Sequence, residues 1–261
     1  MTQSTSPLLG TSPRLRKGPR FGAHMSIAGE PANALRAGHR IGCDTIQMFT
    51  RSPNRWAGPP LTDAVAEQMA EGGFNVVWCS EQQLDTAQRH GLRAQLSDGL
   101  LRPATLDDPA ASEKLDALIA RVRNHPAMYS YFITDEPSAG AFPALGKLIA
   151  YLRQRDPAHM AYINLFPTYA NNQQLGTSGD TVTAYREHLR QYVDIVRPAL
   201  ISYDHYQFAK NGDNGQYFLN LAMIRQASLD AGLPFLNIVQ ACTWTPSMRV
   251  PTGDEMTYLV Y

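Results

Sequence analysis

Residues 131–140, YFITDEPSAG, run a β-rich apolar stretch straight into two acids and a proline. Extended back to Tyr129, the run YSYFITD has the aromatic and β-branched content of a strand, and the residues after Pro137 lead into an apolar-periodic stretch over 141–154. A strand that ends in polar residues and passes at once towards a helix is one βα unit. Its acids then sit at the carboxyl end of the strand.

The same unit recurs along the chain. Strands are predicted at 21–27, 44–50, 74–80, 92–98, 129–135, 160–166, 199–206 and 234–241, and helices near 30–40, 62–72, 81–90, 111–124, 141–154, 180–195 and 217–231, with a last one beginning near Asp254. Gly42, Gly72, Gly91, Pro126, Pro157, Pro198 and Gly232 stand at helix ends, where a glycine or proline stops a helix. Eight alternations predict a (β/α)8 barrel rather than an open doubly wound sheet, because no Gly-rich phosphate loop follows the first strand.

A length of 261 residues fits one such barrel. We divide it into a basic tail over 1–20, read as disordered because it is rich in Ser, Thr, Pro and Gly and lacks acids, and a barrel over 21–261. Lys+Arg and Asp+Glu balance at 23 each, which weighs against nucleic acid as the main partner. Cys43, Cys79 and Cys242 are too few for a disulfide framework, which points to a reducing cytosol, and no apolar run reaches the ~20 residues that span a bilayer.

In a barrel the reactive groups sit at the carboxyl ends of the strands. The polar residues there are Trp78, Ser80 and Glu81 after the third strand, Asp98 after the fourth, Asp135 and Glu136 after the fifth, Asn164 and Tyr169 with the sixth, Tyr203, Asp204, His205 and Tyr206 on the seventh, and Gln240 and Trp244 with the eighth. Acids for proton transfer mixed with flat aromatic faces suit a carbohydrate. Pro137 disfavours the α region at Glu136 and predicts that it stays extended, as the proton-transfer group, while Asp135, one position earlier, faces the other way and orients its neighbours. Asp204 is the second carboxylate. By alternation Asp204 and His205 point to opposite faces, so one of them packs. A metal centre is the rival, drawn from His24, Asp98, Glu136, Asp204 and His205, but no HxH or HExxH spacing supports it and no cofactor is expected.

Two resemblances carry further expectations. The stretches GAHMSIAG (22–29), GCDTIQMFT (42–50) and NRWAGPPLT (54–62) resemble the start of the endonuclease IV family of zinc-dependent apurinic-site nucleases. That resemblance implies DNA-facing loops with Arg51 and Arg55 on phosphates, without the later zinc-binding motifs. From about residue 66 onward, YFITDEPSAGAFPALGKL, YINLFPTYA, ISYDHY and NIVQACTW resemble glycoside-hydrolase barrels related to the clan-A glycosidases. Here DEP stands where many of those enzymes carry NEP, implying that Glu136 is a general acid/base. The strand that would carry their glutamate nucleophile ends in Gln240.

The expectation is therefore a hybrid barrel, with an endonuclease-like part over 21–65 and a glycosidase-like part over 66–261. It acts on a small carbohydrate through Glu136 and Asp204, with Trp78, Glu81, Asp98, Asp135, Asn164, Tyr203, His205, Gln240 and Trp244 lining the substrate. The alternatives are a metal-dependent phosphodiesterase and a natural or recombined scaffold without catalysis.

Overall fold

The computed structural model describes residues 22–24, 45–47, 61–240, 243 and 245–260; the basic tail, Cys43, Arg51, Arg55, Cys242 and Trp244 lie outside them. Eight parallel strands follow in chain order: β1 (Gly22–His24), β2 (Thr45–Gln47), β3 (Val76–Cys79), β4 (Arg93–Leu96), β5 (Met128–Asp135), β6 (Met160–Leu165), β7 (Ile201–His205) and β8 (Phe235–Val239). β1 pairs with β2, β3 to β8 pair consecutively in one six-stranded sheet, and the Cα atoms of β1 come within 8 Å of β8. The chain is a single-domain (β/α)8 barrel, hydrogen-bonded as blocks of two and six strands.

The helices are α1 (Asp63–Glu71), α2 (Leu84–Arg89), α3 (Pro109–Val122), α4 (Phe142–Arg155), α5 (Asn172–Leu175), α6 (Thr181–Gln191), α7 (Tyr217–Ala231) and α8 (Gly253–Val260). α3 shows why they form and where they pack. Asp108 caps it by accepting from Ala110 N at 2.9 Å, and Pro109 takes the first turn, where its missing N–H costs nothing. Its buried residues Leu115, Leu118, Ile119 and Val122 recur at the spacing of one helical face. Each fully buried Leu or Ile stabilises the fold by about 1.5–3 kcal/mol.

Two departures from the sequence reading matter to the site. The stretch 81–90 is not one helix: a tight turn over Glu81–Gln83, with Gln83 folded back on Ser80 N at 3.0 Å, precedes α2. The region after β6, where no helix is predicted, contains α5, whose Gly176 cap (φ 71°) packs against the residues just after Pro137. Among the described residues no helix is long and apolar enough to cross a membrane.

Candidate active site

The two faces of the strands separate cleanly by partner. On the outer face, the Tyr131 hydroxyl donates to Asp156 Oδ2 at 2.6 Å at the end of α4, and His205 Nδ1 donates to Asn220 Oδ1 of α7 at 2.9 Å. On the other face the side chains bond across strands. The Trp78 indole N–H donates to Gln95 Oε1, and Gln95 Nε2 donates to Ser130 Oγ at 3.2 Å. Tyr162 bonds Ser202 Oγ at 2.8 Å, Ser202 Oγ donates to Asn164 Oδ1 at 3.1 Å, and Asn164 Nδ2 donates to Asp135 Oδ1 at 3.0 Å. This face, turned away from the helices, is the barrel interior, and its hydrogen-bonded belt rises to the mouth at Asp135.

A bulge places the acids. β5 and β6 pair Phe132 with Tyr162 and then Thr134 with Ile163, so Ile133 has no partner in the ladder. One extra residue inverts the alternation beyond it. Phe132 points inward against Trp78 (ring centroids 4.3 Å apart), and after the bulge Asp135 faces inward beside Asn164. The expectation that Asp135 faces the other way is therefore corrected.

Glu136 does not stay extended either. It adopts φ 46°, a left-handed conformation unfavourable for a residue with a side chain, and its N–H donates to the Asn164 carbonyl at 2.9 Å. The proline disfavours the right-handed region, and the turn out of the barrel selects the left-handed one. The result brings Glu136 into the same mouth as Asp135, close enough to Asp204 for the two acids to act on each other's proton affinity.

Among the described residues these three acids face no cation. None of the ion pairs among the described residues includes them. Burial, then the Asp135 charge, pushes Glu136 up to about 7, although its contact with Asp204 pulls the other way. Burial and the charges of Glu136 and Asp135 hold Asp204 well above the usual carboxylate range. Tyr206 and Asn164 reach its carboxyl, but no donor reaches Oδ1, an arrangement that favours the protonated form. Asp135 is raised too, chiefly by its surroundings inside the mouth, although its outer edge stays open to solvent.

Tyr169 closes one side of the mouth. Its hydroxyl accepts from Tyr206 N at 3.2 Å and senses the Asp204 and Glu136 charges, while 40% of the residue stays exposed. A cleft of about 460 Å³ opens between the loops that follow β7 and β8, lined by Lys210, Thr243, Met248 and Val250 among others.

Several expected lining residues are engaged elsewhere. Glu81 pairs with Arg121 of α3 (Oε2 to Nη2 2.9 Å), which holds its carboxyl below the ordinary value. Asp98 accepts from Leu100 N at 2.8 Å and shapes the turn after β4. Tyr203 lies on the outer face among Tyr185 and Tyr217. His205 is buried between Tyr169 and Tyr217, its ring kept neutral by burial, which lowers it to about 4. Asp204 and His205 do point to opposite faces. Gln240 accepts from Phe208 N at 2.7 Å and donates to the carbonyls of Phe208 and Arg249, both at 3.1 Å. It needs a donor and an acceptor, which a glutamate cannot supply at neutral pH.

Sequence reasoning missed Gln95, Ser130, Tyr162 and Ser202. Their signal is polar residues two apart within apolar strands: Tyr162 and Asn164, Ser202 and Asp204. Among the described residues no group of three His, Cys, Asp or Glu is arranged to hold a metal ion.

Comparison with known proteins gives short sequence matches and distant structural ones. No protein-family model matches the chain. A probable endonuclease 4 of Geotalea daltonii is 45% identical over 60 residues, 22% of this chain and 21% of that protein. One from Chloroflexus aurantiacus is 33% identical over 101 residues, 35% of each chain. The matches thus span between a fifth and about a third of these relatives. Among solved structures, a putative α-L-fucosidase from Bacteroides thetaiotaomicron aligns with TM-score 0.49 and 11% identity over 97% of this chain and 86% of its own. Endonuclease IV from Thermus thermophilus aligns with TM-score 0.45 and 19% identity over 86% and 93%. Similarity thus runs to glycoside hydrolases and to endonuclease IV alike.

Proposed function

We propose that this protein is a glycoside-hydrolase-like enzyme that cleaves a carbohydrate at the carboxyl-terminal mouth of the barrel, with Glu136 as the general acid/base. The observation that carries the reading is Glu136 itself: a half-buried carboxyl with no cationic partner among the described residues, set at a left-handed turn directly after a strand. Its proton affinity near neutrality, about 7, suits a group that gives a proton to a leaving oxygen and takes one back from water. The exposed Tyr169 ring provides a flat apolar face for a sugar ring.

In the proposed reaction the bond between the anomeric carbon and the glycosidic oxygen breaks, its electron pair stays on the oxygen, and the Glu136 proton is transferred there. Water then adds to the sugar cation and returns its proton to Glu136. Screening of aryl glycosides with the wild-type protein and Glu136→Gln tests this. Loss of turnover by roughly 10²–10⁴-fold in the variant is expected; turnover unchanged by the substitution overturns the assignment.

The second reading, a phosphodiesterase of endonuclease IV type, is favoured by the short curated matches. Cleavage of an apurinic-site duplex by the protein loaded with zinc or manganese supports it. No cleavage at any metal concentration removes it.

A further inference from the structure

We propose that Asn220 and Tyr185 form a buried brace that positions Tyr169 as the platform on which a sugar ring stacks. This inference rests on the glycosidase reading and deepens it by naming what holds the aromatic side of the site.

The platform sits on a short turn that is pinned along its length. Tyr169 follows Phe166, Pro167 and Thr168 just past β6, and Ala170 N donates to the Pro167 carbonyl at 3.1 Å to close the turn. Asn220 of α7 is fully buried, and its Oδ1 accepts from Thr168 N at 2.9 Å. A backbone N–H only donates, so Oδ1 is the amide atom that faces it, and the same oxygen accepts from His205 Nδ1 at 2.9 Å. The other amide atom, Nδ2, donates to the Tyr185 hydroxyl of α6 at 3.0 Å, and that hydroxyl donates to the Phe166 carbonyl at 2.8 Å. Asn220 thereby reaches both sides of Pro167, one directly and one through Tyr185, and ties them to the end of β7.

Tyr169 is seated on that same strand end. Its ring packs edge-on against His205 with centroids 4.9 Å apart, and its hydroxyl accepts from Tyr206 N at 3.2 Å. Burying Asn220, Tyr185 and His205 is unfavourable unless each finds a polar partner, and the partners found here are one another and the turn that carries Tyr169. Tyr169 alone of this group presents an exposed ring. A sugar ring has a face of C–H bonds, and an aromatic ring held in place beforehand loses little side-chain freedom when that face stacks on it. Asn220 and Tyr185 are too deeply buried to touch a substrate; they act through Tyr169.

The test uses Tyr169→Phe, Asn220→Ala and Tyr185→Phe in the full chain. The readouts are steady-state kinetics on the aryl glycoside that the wild type cleaves and hydrogen exchange of the Tyr206 amide followed by NMR. Tyr169→Phe keeps the ring but removes the acceptor of Tyr206 N, so it sets the exchange rate of the released amide. If the rate is unmoved there, the ring is not seated on the end of β7 and the proposal falls. Asn220→Ala is expected to speed Tyr206 exchange by about tenfold, and Tyr185→Phe by less. Both raise KM, by about three- to tenfold for Asn220→Ala, with kcat within about twofold. A lower melting temperature with KM and the Tyr206 rate at wild-type values marks a merely structural pair and overturns the proposal, as does a fall in kcat with KM unchanged. Should Asn220→Ala not fold, Tyr185→Phe, which keeps its ring, decides by the same readouts. If the wild type cleaves no glycoside, the glycosidase reading fails by itself; the exchange experiment still decides the brace, and unmoved Tyr206 rates in Asn220→Ala and Tyr185→Phe overturn it.

Discussion

Glu81 and Glu136 occupy similar places in the sequence, each just past a strand and just before a turn, yet the fold treats them oppositely. Glu81 leaves the mouth and pairs with Arg121 of α3, which holds its carboxyl below the ordinary value. Glu136 turns into the mouth, has no cationic partner among the described residues, and is pushed up to about 7 by burial and the Asp135 charge. A strand-end acid is therefore a candidate only until its partner is known. The charge of that partner decides whether the acid is a strut or a proton carrier.

The sharpest way to break this comparison is to neutralise each glutamate. Glu136→Gln is expected to lose roughly 10²–10⁴-fold in kcat, against less than about twofold for Glu81→Gln, measured on the same aryl glycoside. Equal losses erase the distinction. Gln240→Glu asks whether an acid at the last strand end restores a nucleophile. The fold predicts instead a loss of about 1–3 kcal/mol or more in urea unfolding with no gain in turnover, because a buried carboxylate replaces a donor to two carbonyls. A gain in activity refutes that reading.

Support for the turn at Glu136 can be removed from outside the site. Gly176 has φ 71°, and a Cβ there meets Ser138 Oγ and comes within 3.0 Å of Ala139 N. Gly176→Ala should cost about 1–3 kcal/mol and lower turnover by displacing the segment after Pro137. An unchanged melting temperature shows that this contact does not hold the turn.

The smallest effects carry opposite signs. Glu136 has a raised folded value, so its contribution to stability is present below its unfolded value and is lost as pH rises towards about 7. Glu136→Gln therefore gains in melting temperature over the wild type as pH goes from 4 to 8. Glu81 has a lowered folded value, so its contribution is present above its unfolded value and lost as pH falls through the folded one. Glu81→Gln should be less stable at pH 7 by well under about 1 kcal/mol, with the gap closing towards pH 3, as expected for an exposed pair with Arg121.

Much of the architecture was legible because βα units are local. Apolar runs of strand length, helical periodicity, and glycines or prolines at helix ends name the units in order, the helix expected at 30–40 lying outside the described residues, and YFITDEPSAG already places two acids at a strand end. The alternation rule also separates Asp204 from His205 correctly. It fails at Asp135 because the bulge at Ile133 adds one residue to the ladder, and nothing in the run FITD marks which residue is extra. Pro137 disfavours one backbone region for Glu136 but does not choose between extended and left-handed.

The sequence by itself determined the repeated strand–helix order, the positions of the strand-end acids and the alternation of faces, since these depend on neighbours a few residues apart. Only the tertiary structure decided which acids share a mouth, that Glu81 is neutralised by Arg121, and that Gln240 clamps two loops. Those outcomes depend on partners and burial supplied by other elements of the fold, such as Arg121 for Glu81 and Phe208 for Gln240, together with a bulge whose site is fixed by pairing with the next strand. Proton affinity is a property of that assembled surrounding, which is why an acid's role emerges only when the barrel does.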